Sequence, residues 1–330
     1  MGETSTLASS RPTLSPDQLQ KYIEHIYQCE PQQGELHLQQ LRELMQTNPL
    51  HALTQLKQHH LAAIPFSNLV LHYSSHHTIS LDPDVLFHKI VERGLGGYCV
   101  ETTGLLAIVL RTLGFNFYTS AARVNKSFEQ GVDTGDYHGW GHMILIVKIE
   151  NEKYVVDVGF GPGGSTQPLL LRHGASCKKI APAESRMVQE NISANTDAEQ
   201  KPWIFQTRTD AHAKWESLYC FYEVEFLPGD YEVMNYATSQ NSRSVFTKSF
   251  ICAAFILNEE KDDIVGNLCI VKATVKRNLN GNLEILQTLK NEGERVNALR
   301  TFFNIHLQPL EIRGIHGKIT ELKEMTPAPS

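Results

Sequence analysis

Apolar positions in the first third of the chain recur every three to four residues. In "SPDQLQKYIEHIYQ" Leu19, Tyr22, Ile23, Ile26 and Tyr27 fall on one helical face. Ser15 is placed as N-cap, Pro16 as first helical residue and Gln18 where a capping box closes. "ELHLQQLRELMQT" and "PLHALTQLKQHHLAAI" repeat the period, and "LDPDVLFHKIVER" opens on Asp82 as cap and Pro83. "VETTGLLAIVLRTLG" is apolar nearly all round, which predicts a central, buried helix from near Cys99 to Gly114. Residues 1–115 are expected as a helical bundle, with 1–14 as a flexible leader.

From residue 116 the pattern shortens. "FYTSAARV", "HMILIVKI", "YVVDVGF", "PLLL", "WIFQT" and "YCFYEVEF" are rich in β-branched and aromatic residues and predict strands. Residues 173–201 are polar and irregular, and are expected as an insertion loop. "SFICAAFIL", "NLCIVKATVKR" and "LEILQTL" predict a meander, "EGERVNALRTFFNI" one late helix and "TPAPS" a loose tail. Helices, then strands, then a mixed segment make an α+β order, not a βαβ one.

Composition narrows the partners. The 330 residues are 41% hydrophobic and 20% charged, with a net charge of −6 and no long basic run. Neither nucleic acid nor an anionic membrane is expected as a partner. Six cysteines, at 29, 99, 177, 220, 252 and 269, form no CxxC pair, and the N-terminus lacks a signal-peptide core. A cytoplasmic protein with free thiols and no metal is expected, as a monomer by default. No apolar run approaches the ~20 residues of a membrane span. "MGETST" fits the loose pattern for myristoylation of Gly2, but no polybasic patch supports an anchor.

The chemistry centres on "RGLGGYCVETTG". Gly96 and Gly97 permit a tight turn, and a helix N-terminus at Cys99 would favour thiolate over thiol. Local features fit a nucleophile and a buried small hydrophobe alike. Of fifteen histidines, His59, His60, His72, His76 and His77 are expected as solvated surface or loop residues, without metal-ligand spacing. His142 opens an apolar strand in "GWGHMILIV", and Asp157 sits among valines in "NEKYVVDVGFG". A carboxylate there must be paired or hydrogen-bonded, which suits a structural aspartate and a catalytic one equally. In a hairpin closed by two residues, positions 142 and 157 face the same side but lie two to four residues out of register. Contact then needs a bulge or strong twist, for which Gly159 and Gly161 are the candidates.

Taken together, "IPFSNL", "GGYCVE", "GHMILIV", "DVGFG", "DYEVMNY", "SVFTKSF" and "ERVNALRTFFNI" resemble the arylamine N-acetyltransferase family, in this order and from about residue 15 to 310. The resemblance implies a papain-like α+β fold: a helical bundle (1–115) carrying Cys99, a β-barrel (116–245) carrying His142 and Asp157, and an α/β lid (246–330). It implies a Cys99–His142–Asp157 triad running ping-pong acyl transfer from acyl-coenzyme A to an arylamine, arylhydrazine or N-hydroxyarylamine. Acetyl-CoA is the expected donor. Malonyl-CoA is the alternative, since some fungal members prefer it, and its carboxylate would suit Arg123, Arg243 or Lys248. Phe66, Val124 and Phe160 are implied as an apolar substrate slot. His138, Gly139, Trp140, Tyr236, Thr238, Ser239, Asn241, Ser242 and Arg243 are implied as coenzyme A contacts. Two positions depart from the family pattern. Leu95 stands where Arg usually precedes the glycine pair, as in fungal members, with Arg93 two places earlier, and Thr103 stands where Asn is common. A cysteine hydrolase with the same triad and an inactive coenzyme A-binding paralogue remain the alternatives.

Overall fold

The capping box at Ser15 forms as its sequence requires. Ser15 Oγ accepts the Gln18 N–H at 3.2 Å and Gln18 Oε1 accepts the Ser15 N–H at 3.0 Å, opening α1 (Pro16–Tyr27). The structure is a computed structural model that describes residues 11–127 and 131–323; the first ten residues, Gly2 with them, and the "TPAPS" tail lie outside the described residues. The end of the expected leader is docked: Leu14 is buried and its N–H donates to Thr112 Oγ1 at 2.9 Å.

Helices α2 (Pro31–Thr47) and α3 (Pro49–Ala63) pack against α1 through Tyr22, Ile23, Leu41, Leu53 and Leu56. Two short helices follow, α4 (Val70–Tyr73) and α5 (Pro83–Phe87), the latter continued by a π-turn over His88–Glu92. Helix α6 (Cys99–Leu113) is buried on nearly every face and stops at Gly114, whose φ of 87° suits a residue without Cβ.

Eight antiparallel strands run in the order β5-β4-β3-β2-β9-β8-β7-β6. They are β2 (Asn116–Asn125), β3 (Tyr137–Ile149), β4 (Glu152–Val156), β5 (Leu169–Leu170), β6 (Ser176–Lys178), β7 (Glu184–Gln189), β8 (Trp203–Arg208) and β9 (Glu216–Phe221). β5 returns beside β6 and β7, so the sheet nearly closes into a barrel. The 143–147 stretch of β3 is continuously apolar because both its faces are buried there. Met143, Leu145 and Val147 meet the helices, while Ile144 and Ile146 fill the barrel with Phe205 and Tyr219.

Residues 173–201 are not the irregular loop expected, because β6 and β7 lie within them and β7 pairs with β8 from Glu184↔Arg208 to Gln189↔Trp203. The alternation is present but masked: one inward residue, Met187, is apolar while another, Ser185, is polar.

A second sheet, in the order β1-β10-β11-β12-β13, joins β1 (Phe66–Ser67) to the meander β10 (Ile251–Leu257), β11 (Ile264–Val271), β12 (Thr274–Leu279) and β13 (Asn282–Thr288). The late helix Glu292–Phe303 covers it through Ala298, Leu299 and Phe303. Helix Pro228–Ser239, not signalled by the apolar pattern, buries Tyr231 and Met234 while Val233 and Tyr236 face solvent.

The histidines of the helical part correct a further expectation, since His59, His60 and His72 are buried. His60 Nδ1 meets the Tyr22 hydroxyl at 2.8 Å, and His59 stacks on Tyr27 at 4.0 Å. Burial pushes His60 down to about 3 and His59 to about 4, so both are neutral rings serving as core. Only hydrogen bonds and stacks that join distant segments let an imidazole be buried so, and such contacts leave no local signal. No helix among the described residues is long and apolar enough to cross a membrane. Among the same residues, no group of three or more His, Cys, Asp or Glu is arranged to hold a metal ion.

Candidate active site

The turn before α6 is locked by backbone. Gly96 has φ 63°, and a Cβ there would lie 2.1 Å from the Pro65 carbonyl oxygen. The Gly97 N–H donates to that oxygen at 3.1 Å, and the Ser67 N–H donates to the Gly97 carbonyl at 2.8 Å. Buried Glu101 then caps the helix: one carboxylate oxygen accepts the Tyr98 N–H at 3.1 Å and the other meets Lys89 Nζ at 2.5 Å. Leu95, in the place of the family's arginine, is buried among Leu69, Tyr73 and Phe250. Arg93 turns away and donates to both carboxylate oxygens of Glu311, at 3.1 Å each, tying this turn to the C-terminal helix Pro309–Arg313.

Cys99 is 4% exposed at the first position of α6. Its Sγ lies 3.6 Å from the Gly141 carbonyl oxygen, and the thiol is near enough to His142 to help raise the ring's pKa. His142 Nε2 meets Asp157 Oδ2 at 2.8 Å, which leaves Nδ1 as the ring nitrogen not engaged by the carboxylate. Asp157 Oδ1 accepts the Gly159 N–H at 2.9 Å. One oxygen of this carboxylate thus meets the imidazole and the other the backbone.

The hairpin behaves as its parity requires. β3 and β4 pair from Leu145↔Val156 to Ile149↔Glu152, and that register sets Asp157 opposite residue 144, two short of His142. The irregularity that aims His142 is not at Gly159 or Gly161, as expected, but in β3. There β2 pairs Ala122 with His142 and Arg123 with Trp140, leaving Gly141 as the extra residue. Gly159 serves close packing instead: a Cβ on it would lie 2.6 Å from Cys99 Cα. Gly159→Ala is therefore expected to displace α6 and cost about 1–3 kcal/mol, read as a lower urea midpoint at unchanged slope.

The pair is electrostatically coupled. Burial alone would depress His142, but the Asp157 charge and hydrogen bond, with the Cys99 contact, raise it to about 10. Burial likewise works against the Asp157 carboxylate, yet His142, the Gly159 N–H and Lys57 hold it below the usual carboxylate range. Phe160 stands edge-on to the imidazole at 5.0 Å and Tyr219 lies at 5.3 Å, so the ring is walled by aromatic groups.

The other expected site residues divide. Phe66 and Phe160 are gathered near the trio: the Phe66 ring lies 3.1 Å from where a Gly161 Cβ would be, and Phe160 touches His142. Val124 pairs across β2 and β9 with Tyr219, which itself neighbours His142. His138, Gly139 and Trp140 form the entry end of β3, where Trp140 carries the Arg123 guanidinium 4.1 Å above its ring. Tyr236, Asn241, Ser242 and Arg243 are exposed, Thr238 is half-buried and Ser239 buried. Thr103 Oγ1 is buried without a hydrogen-bond partner. An apolar cavity of about 120 Å³ lies along α6, lined by Val100, Gly104, Ala107 and Met143; Cys99 does not line it.

Sequence reasoning missed Tyr219, Gly141, Asn235 and Lys57. Asn235 accepts from the Tyr98 hydroxyl and donates to the Ile79 carbonyl at 2.9 Å, fastening helix Pro228–Ser239 to the turn before α6. Only Lys57 left a local signal, as a cation on the apolar face of "PLHALTQLKQHHLAAI".

A family model described as N-acetyltransferase matches residues 49–312. The chain belongs to that family. This acyltransferase is 38% identical over 281 residues to the N-malonyltransferase FDB2 of Fusarium pseudograminearum, covering 80% of this chain and 82% of the relative. It is 28% identical over 271 residues to human arylamine N-acetyltransferase 1, covering 78% and 88%. The arylamine N-acetyltransferase structure from Salmonella typhimurium superposes with a TM-score of 0.70 at 25% identity, over 89% of this chain and 92% of that one. The Mycobacterium marinum enzyme, solved in complex with CoA, gives a TM-score of 0.72 at 24% identity over 92% and 99%, a likeness of fold. The mixed helix-and-barrel fold that the resemblance implied is the one observed.

Proposed function

We propose that this acyltransferase moves an acyl group from an acyl-coenzyme A to an aromatic amine through a Cys99 thioester. The single observation that carries this reading is the burial of Cys99, His142 and Asp157 together, with His142 bonded to Asp157 at 2.8 Å and the Cys99 sulfur on the carbonyl of the neighbouring Gly141. His142 takes the thiol proton, and Asp157 holds and stabilises the imidazolium so formed. The Cys99 sulfur then bonds to the thioester carbonyl carbon while first-turn N–H groups of α6 face the developing oxyanion. The bond to the coenzyme sulfur breaks, and coenzyme A leaves with the proton held on His142. In the second half the amine nitrogen bonds to the acyl carbon, Cys99 departs, and the amine proton returns to Cys99 by way of His142. Phe66, Val124 and Phe160 are the residues assigned to the amine. His138, Gly139, Trp140 and the 236–243 segment are assigned to coenzyme A.

The donor assigned is malonyl-CoA, ahead of the acetyl-CoA first expected. Relatives named N-malonyltransferase reach 36–38% identity over about four-fifths of the chain, against 28% for the human acetyltransferase. Coenzyme A release is the test, with malonyl-CoA or acetyl-CoA, with and without 2-aminophenol. Release that requires the amine, with kcat/KM at least about tenfold higher for malonyl-CoA, is the expected result. Release undiminished without amine would instead establish a hydrolase with the same trio. No release under any condition would support the inactive paralogue.

A further inference from the structure

Lys57 is a charged residue on the core side of α3, and it is fully buried. Its ammonium donates to Ser165 Oγ at 2.7 Å and to the Gln167 carbonyl at 2.8 Å. No carboxylate among the described residues forms an ion pair with it, an arrangement that a structural lysine rarely tolerates. The carboxylate charge acting on it is that of Asp157. Both its hydrogen bonds end on the segment that follows Asp157. That segment also carries Gly159, packed on Cys99, and Phe160, edge-on to His142. Lys179 Nζ holds the same segment through the Gly163 carbonyl at 2.9 Å.

We infer that Lys57 is a positioning residue for the Cys99–His142–Asp157 trio, pinning the 157–167 segment and lending the buried site a positive charge. The inference rests on the nucleophile reading above. The groups facing the His142–Asp157 pair are Cys99 from α6, Tyr219 from β9 and Lys57 from α3. Those facing Lys57 are Asp157 and, from β6, Cys177, which itself neighbours Lys179. A positive charge beside the trio disfavours every added proton, so its removal should move the acid limb of the site's titration, where Lys57 is charged, to higher pH. Burial brings the Lys57 ammonium itself down to about 8, so the parent protein loses part of this charge above that pH.

The experiment measures the rate of Cys99 alkylation by iodoacetamide against pH in the full chain, in the parent, Lys57→Met and Ser165→Ala. Peptide mass spectrometry separates Cys99 from the other five thiols. In Lys57→Met the acid limb is expected to rise by about half a unit or more, while the alkaline limb, where the parent lysine is already neutral, stays in place. Ser165→Ala loses one hydrogen bond but keeps the charge, and its limbs are expected to stay in place. Lys57→Gln, which drops the charge but keeps a donor, gives the same readout if the methionine variant fails to fold. An acid limb of the charge-removed variant within about 0.2 unit of the parent overturns the inference, as does an equal shift in Ser165→Ala, which would mark segment displacement. A parent in which Cys99 reacts no faster than the other thiols overturns the nucleophile reading, and this inference with it.

Discussion

Replacing Cys99 by serine is expected to abolish acyl transfer, a loss on the order of 10⁴-fold or more, with the fold intact. The sulfur sits buried at the first position of α6 against the Gly141 carbonyl, so an oxygen of smaller radius leaves the packing nearly unchanged. What changes is acidity: a thiol yields its proton to an imidazole, whereas a hydroxyl holds it far more tightly. Incubation with radiolabelled malonyl-CoA or acetyl-CoA and recovery of the denatured protein provides the measurement. The parent should retain one label per chain, on the peptide containing Cys99, and the serine variant none. A labelled serine variant would place the acyl group elsewhere and end the proposed mechanism.

Asp157→Asn is the second large effect, with an expected fall of about 10⁴-fold in kcat, the scale known for the equivalent change in Ser-His-Asp triads. Asn keeps an oxygen for the Gly159 N–H but removes the charge that raises His142. The imidazole then loses its reason to hold a proton against burial. A stability signature should accompany the kinetic one. His142 is raised to about 10 in the native protein against an ordinary value near 6.5, so its imidazolium stabilises the fold fully below about 6.5. That contribution fades as pH climbs toward 10. Asp157 is lowered, so its contribution is present above the ordinary carboxylate value and is lost as pH falls through the depressed one. Urea midpoints measured across pH should therefore decline on both sides in the parent, and the alkaline decline should vanish in Asp157→Asn.

Much of this architecture was readable because it is local. Ser15, Pro16 and Gln18 write a helix start within four residues, and Gly114 writes a helix end by its φ alone. Side-chain parity across a two-residue turn is enough to put His142 and Asp157 on one side. What stayed hidden depends on partners far along the chain. β7 is a strand because β8 and β6 flank it, although its own residues are mostly polar. His60 is core because Tyr22, 38 positions away, offers a hydroxyl. The Gly141 bulge exists only in the register between β2 and β3. Lys57 was visible as an anomaly, but its meaning depends on Ser165 and Gln167, over a hundred residues later.

The two-residue strand β1 hydrogen-bonds to β10 on one side, while its Ser67 N–H donates to Gly97 on the other. It works as a rivet between the C-terminal sheet and the loop that presents the sulfur. Loosening that sheet by heat or by a remote substitution should therefore be felt as lost turnover before bulk melting. Drift variants in β11 and β12 would then read as poor catalysts, although nothing in their substrate contacts had changed.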